Sequence, residues 1–236
     1  MAFSLWFASL AAVTCLLAKP FDRRIAATFA LLCAAYLGAD DLVTGLPSLA
    51  GGLDVLGGHW NWSGKVLSLA LSAIVIAALR LSPAAVGLTF RQRHVKAGLI
   101  ALVAFIAWGA GLGLLFKPGV PTAETLAFQA TMPGLAEELV YRGIAPALLL
   151  GLMRKKAPVE GTPWAVILAT SVAFGAWHGL NLSHGRLGFD VMSALFPFLG
   201  SIPGGWLRFE TRSLVFPVLA HGLANLAFQI AGSLVA

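Results

Sequence analysis

The chain has 236 residues, 58% of them hydrophobic and 11% charged, with a mean hydropathy of +0.86. A soluble domain of this size carries roughly a quarter charged residues, so a water-soluble globule is excluded and an integral membrane protein is expected. The formal charge of +6 does not mark a nucleic-acid binder, because the basic residues fall in short clusters between apolar runs, the pattern that encodes membrane topology.

The apolar stretches are continuous and rich in Leu and Ala, without the period-2 alternation of a barrel. An all-α, polytopic fold with about eight transmembrane helices is expected, since spanning needs about 20 apolar residues per helix. The predicted spans are 3–18, 25–45, 66–81, 97–116, 123–151, 164–182, 189–207 and 213–235. Pro and Gly punctuate the gaps, as at Lys19-Pro20, Leu46-Pro47 and Lys117-Pro118-Gly119. The first run has no basic residue before it, which favours a retained helix over a cleaved signal peptide. The basic connection from Arg80 to Lys96 is expected along the membrane surface. Cys15 and Cys33 lie in apolar segments without metal-ligand spacing and read as packing thiols. No soluble domain or long-period repeat is visible, so residues 1–236 read as one transmembrane domain.

Lys and Arg placement predicts the orientation. Lys19, Arg23, Arg24, Arg80, Arg91, Arg93, Lys96, Arg154, Lys155, Lys156, Arg208 and Arg212 fall in odd connections. Only Lys65, Lys117 and Arg186 fall in even ones. Cytoplasmic loops concentrate Lys and Arg, so both termini are expected outside, in a multi-pass protein of the plasma (inner) membrane.

Within the fifth span stand Glu137, Glu138 and Arg142. Each ionisable group at a helix centre costs roughly 2.5–3.5 kcal/mol on insertion scales, so a charged triplet there is a candidate functional site. Glu138 and Arg142 are four apart and share a face, whereas Glu137 points about 100° away. Glu138 is therefore the expected partner of Arg142, and Glu137 is expected to stay free for other work. Pro133 and Gly134, one turn earlier, are positioned to break or kink the helix.

The sixth span carries Phe174-Gly-Ala-Trp-His178, and the eighth carries His221-Gly-Leu-Ala-Asn225. His221 and Asn225 are again four apart and face one direction. A buried carboxylate can serve as a general base towards water, and a neighbouring histidine can hold that water or move its proton. An amide and an imidazole on one face can donate to a developing oxyanion. No nucleophilic Ser, Cys or Lys stands out, so an activated water is the expected attacker and amide hydrolysis the reaction class.

The ordered set Glu137-Glu138-Leu-Val-Tyr141-Arg142, Phe174-x-x-x-His178 and His221-x-x-x-Asn225 resembles the three motifs of the CAAX-protease and bacteriocin-processing (CPBP, or Abi) intramembrane proteases. The similarity covers about residues 125–230, with Gly200, Trp206, Ser213-Leu214 and Pro217 also matching. Trp60-Asn-Trp-Ser-Gly-Lys65 resembles a feature of many bacterial members. The resemblance implies an eight-helix fold with a catalytic core over 123–230 and a glutamic-type endopeptidase. In it, Glu137 and His178 would activate water while His221 and Asn225 stabilise the oxyanion, with Glu138, Arg142 and Phe174 in support.

The older description of that family as metalloproteases makes zinc the alternative, held by His178, His221 and a glutamate. The His-Glu-x-x-His pattern is absent, so a metal-free site without a cofactor is favoured. Relatives trim prenylated CAAX tails, serve bacteriocin maturation or immunity, or process membrane-anchored sorting tails. The expected partner is therefore a membrane-anchored protein or peptide within the bilayer. The rival readings are a non-catalytic immunity or scaffold protein of the same fold, and a transporter using its carboxylates as a proton relay. The remaining features read plainly. Gly109-Ala-Gly-Leu-Gly113 serves helix packing, Asp40 and Asp41 are interfacial, Trp60 and Trp62 belong to an aromatic belt, and His59, His94 and His184 have no role.

Overall fold

The computed structural model describes residues 1–153, 161–183 and 185–235. Arg154, Lys155, Lys156 and His184 lie outside the described residues. The chain is mostly helical: α1 (Ala2–Ala18), α2 (Ala27–Leu49), α3 (Trp62–Ala78), the single turn α4 (Pro83–Val86), α5 (Val95–Phe116), α6 (Ala123–Glu138), α7 (Ala145–Leu149), α8 (Trp164–Gly179), α9 (Val191–Thr211) and α10 (Val215–Ser233). A π-helical turn over Leu139–Ile144 joins α6 to α7. Every predicted span therefore coincides with a helix. Of these, α2, α5 and α10 are long and apolar enough to cross a membrane by length and composition, and α1, α3 and α8 are shorter apolar helices.

The molecule is apolar outside and charged inside. Leu99, Ile100, Val103 and Leu115 of α5 point outward, as do Leu5, Trp6 and Leu17 of α1, whereas Lys65, Glu137, Glu138 and Arg142 are buried. Water would not support that inversion; a lipid surround does.

Small residues set the helix spacing. A Cβ on Gly109 or Gly113 would strike the carbonyl oxygens of Ala224 and Phe228 on α10, while Gly111 faces open space. The expected packing role of this glycine run is thus met by two of its three members. Gly134 of α6 lies against the Val218 carbonyl (2.8 Å from a notional Cβ), and Gly222 of α10 lies against that of Ala130 (2.5 Å). Close approach of α6 and α10 follows, and it brings Glu137, Glu138 and His221 into reach of one another. Cys15 and Cys33 are buried free thiols, as expected.

Four expectations are corrected here. The sixth span ends at Gly179, not 182, because the chain turns into an antiparallel hairpin, β1 (Leu180–Ser183) with β2 (Arg186–Phe189). The fold is therefore not purely α. The helix does not break at Pro133-Gly134: α6 runs through them to Glu138, and the irregularity comes after the carboxylates, as the π turn. Arg208 is not in a connection but buried in α9, donating to the carbonyls of Ala84 and Ala85 (3.4 and 3.0 Å) at the end of α4. Lys65 is likewise not in a connection but in the first turns of α3.

Candidate active site

The site is assembled from α3, α6 with its π turn, α8 and α10. Thr122 caps α6 by accepting from Thr125 N. From that start Gln129, Pro133 and Glu137, each four residues on, come round to one cavity. Its volume is about 700 Å³, and Glu138, Arg142, Phe174, His178, His221 and Asn225 line it as well. Every residue singled out from the sequence is therefore brought to one place.

Glu138 and Arg142 pair at 3.1 Å across the junction of α6 and the π turn, as the i,i+4 spacing predicts. Glu138 Oε1 also meets His221 Nδ1 at 2.8 Å. A carboxylate only accepts, so Nδ1 donates and the imidazole is oriented. Nε2 of the same ring then faces Glu137, 3.8 Å from Oε2. The Glu138–Arg142 pair thus does more than brace the helix.

The expectation that Glu137 stands free is overturned. Its Oε1 accepts from Lys65 Nζ at 2.6 Å, both side chains being about nine-tenths buried. Oε2 has no hydrogen-bond partner among the described residues. Glu137 is thus held by one oxygen and unpaired at the other, which is itself buried.

Phe174 organises the third wall. Its carbonyl accepts from His178 Nδ1 (2.9 Å), which leaves Nε2 as the exposed ring nitrogen. The Arg142 guanidinium lies over the Phe174 ring at 4.4 Å, and Tyr141 and His178 meet the ring edge to face at 4.9 and 4.5 Å. Asn225 donates from Nδ2 to Gln129 Oε1 at 2.8 Å. His221 and Asn225, expected to act as one unit, are therefore fixed separately by Glu138 and by Gln129.

Lys65, Gln129 and Trp177 were not found from the sequence. Gln129 repeats the four-residue spacing of Pro133 and Glu137, a signal available in the chain. Lys65 sits at the edge of an apolar run, where a basic residue reads as a topology signal. Trp177 stands next to His178 in the chain; its ring lies 5.0 Å from Lys65 Nζ, and its indole N–H donates to Asp41 (2.9 Å).

Asp40 and Asp41 are partnered between helices. Asp40 is buried and accepts from Ser68 (2.6 Å), and Asp41 accepts from Ser4 (2.5 Å). Trp60 and Trp62 pack on Phe128 at 5.0 and 5.1 Å and are tied to α6 through Thr125 and Glu124. His59 N donates to Glu124 (2.9 Å), and His94 pairs with Glu210 (2.5 Å); both contacts are structural.

Among the described residues no three His, Cys, Asp or Glu side chains are grouped as metal ligands would be. Searches of curated proteins and of solved structures returned no match. Residues 120–227 match the family model described as type II CAAX prenyl endopeptidase Rce1-like. That stretch, just under half of the chain, contains Glu137, Glu138, Arg142, Phe174, His178, His221 and Asn225, the residues on which the CPBP resemblance rests. Over that stretch the chain is similar to the Rce1-like CAAX endopeptidase family, which is consistent with the CPBP resemblance of its motifs.

Proposed function

We propose that this protein is a metal-free, glutamic-type intramembrane endopeptidase that cleaves a membrane-anchored protein or peptide. The observation that carries the reading is Glu137: a buried carboxylate in the wall of a cavity also lined by two imidazoles, held by one oxygen and without a hydrogen-bond partner at the other among the described residues. In the reaction a water O–H bond breaks, its proton goes to Glu137 Oε2, and the oxygen attacks the scissile carbonyl carbon. His178, through Nε2, holds the water in line. The carbonyl π pair moves onto oxygen, where Asn225 and His221 donate to the oxyanion. A His221 that donates from Nε2 carries both ring protons, and the Glu138 carboxylate on Nδ1 is the counter-charge of that form. The proton on Glu137 then passes to the leaving amide nitrogen as the C–N bond breaks.

The aromatic walls of the cavity, Phe105, Trp108, Phe196 and Phe228 among them, suit an apolar segment entering from the bilayer. The matched family's description makes a prenylated C-terminal peptide the first substrate to try. The reading continues with eight helices crossing the plasma membrane, both termini outside, and the site reached from within the bilayer or from the outer face. Reporter fusions at both ends test the orientation, and a terminus found in the cytoplasm would overturn it.

Zinc would have to be held by Glu137, His178 and His221. A dication at Glu137 would sit against the Lys65 ammonium, already 2.6 Å from the carboxylate, and that repulsion favours the metal-free reading. The decisive experiment uses protein in lipid nanodiscs and an internally quenched farnesylated peptide. Cleavage lost in Glu137→Ala and in His178→Ala, and unchanged after exhaustive chelation, is expected. Loss on chelation with rescue by zinc would replace the glutamic mechanism with a metal one.

A further inference from the structure

We propose that Lys65 is a positioning residue of this site: its ammonium fixes Oε1 of Glu137 and balances the carboxylate's charge, which leaves Oε2 as the oxygen that meets water. The inference rests on the peptidase reading with Glu137 as base, and adds a residue from a helix outside the matched stretch 120–227.

Local structure shows that Lys65 is placed on purpose. Asn61 caps α3 by accepting from Gly64 N (2.9 Å), and its own amide donates to the Thr44 carbonyl on α2 (2.8 Å). Gly64 lies so close to that carbonyl that no side chain fits there. The first turn of α3 is thereby clamped to α2, and Lys65 follows it directly. A cation near the N-terminal, positive end of a helix is disfavoured by the helix dipole. Burying it adds a desolvation cost of several kcal/mol unless it is paired. Helix stability thus argues against Lys at this position, and the pairing with Glu137 argues for it.

The neighbours narrow the role further. Arg142 is engaged by Glu138, so among the described residues Lys65 is the Lys or Arg ion-paired with Glu137. The Trp177 ring, 5.0 Å from Nζ, adds a cation–π contact to the same ammonium. A carboxylate gripped at one oxygen cannot rotate to present either oxygen at random. Lys65 acts through Glu137 and does not itself reach the substrate.

The test pairs kinetics with a double-mutant cycle, in nanodiscs with the quenched farnesylated peptide. Lys65→Met is expected to lower kcat about 100-fold with KM little changed, the loss that a misplacement of about 1 Å produces. Lys65→Arg, which restores the charge, is expected to recover at least about a tenth of the lost rate. Thermal unfolding should show Lys65→Met destabilised and the double variant Lys65→Met/Glu137→Gln restored, because the second change removes the stranded carboxylate. If Glu137→Gln is inactive while Lys65→Met keeps kcat within about threefold, the positioning role is wrong and the peptidase reading stands. If Glu137→Gln cleaves like the wild type, the assignment of Glu137 as base has failed instead, and Lys65 has no base to position. Should Lys65→Met fail to fold, Lys65→Gln, which keeps a donor without the charge, decides on the same kinetic threshold. If the wild type does not cleave the peptide, the cycle decides: additive stability losses overturn the pairing.

Discussion

Two buried polar layers lie side by side in this molecule, and they are built on different terms. In the layer formed by α1, α2 and α3, Tyr36 meets Ser72 (2.8 Å), Asp40 accepts from Ser68 (2.6 Å), and Asp41 accepts from Ser4 and from Trp177 (2.5 and 2.9 Å). Neutral hydroxyl and indole donors serve each of those carboxylates. In the layer formed by α6 with its π turn, α8, α10 and the start of α3, two carboxylates face an ammonium, a guanidinium and two imidazoles. There Glu137 Oε2, Glu138 Oε2 and Arg142 Nε have no hydrogen-bond partner among the described residues. An unsatisfied buried polar group costs about 1–3 kcal/mol, more when charged. A fold that needed these charges only for packing would have satisfied them as the first layer is satisfied. The residues that carry the unsatisfied valences of the second layer line a cavity, and that is where chemistry is expected.

The comparison breaks most visibly at Glu137. Glu137→Gln is expected to lower cleavage by about 10²- to 10⁴-fold, the usual worth of a positioned general base, and to lower thermal stability as well, because it strands the buried Lys65 ammonium. A variant that cleaves normally would show that the unpaired oxygen is incidental. Next in size is Asn225→Ala, expected to lower kcat by about 10²- to 10³-fold with KM nearly constant, as for loss of one oxyanion donor. A change confined to KM would make Asn225 a substrate-binding group instead.

The spacing of residues made most of the second layer legible and hid most of the first. Glu138 and Arg142, four apart on one helix, can be paired from sequence because the helix alone fixes their geometry. The eight apolar runs are legible for the same reason: each helix announces itself by its own composition. Lys65 with Glu137, Asp41 with Trp177, and Asn225 with Gln129 are contacts between helices, and no local period encodes them. The partners of Asp40 and Asp41 are not legible, because a charge near the end of an apolar run gives no sign of the helix it will face. Here α2 extends to Leu49, beyond the apolar run, and carries both carboxylates inward. The π turn was illegible because one extra residue per turn changes no hydrophobic pattern. The hairpin was illegible because Leu180, Leu182 and Leu187 suit a helix as well as a strand.

The first layer supplies the smaller effects. Ser68→Ala removes the donor to the buried Asp40 carboxylate and is expected to cost about 1–3 kcal/mol of stability. Cleavage by the folded fraction should be unchanged. A loss of kcat in well-folded Ser68→Ala would mean that the two layers are coupled, with Trp177, which touches both Asp41 and Lys65, as the physical link.

Tyr36→Phe sets the lower limit of the comparison. It removes one neutral hydrogen bond, to Ser72, and leaves the ring's packing in place. Hydrogen bonds between helices in a bilayer average about 0.6 kcal/mol, because the unfolded chain in the membrane also finds partners. The expected loss is of that order, read as a small shift in unfolding midpoint, with kcat and KM unaltered. A much larger loss would place Tyr36 among the groups whose partner is not replaceable, and the first layer would then resemble the second. A loss of the expected size keeps the distinction: hydroxyls that fasten helices together on one side, and charges held ready for a substrate on the other.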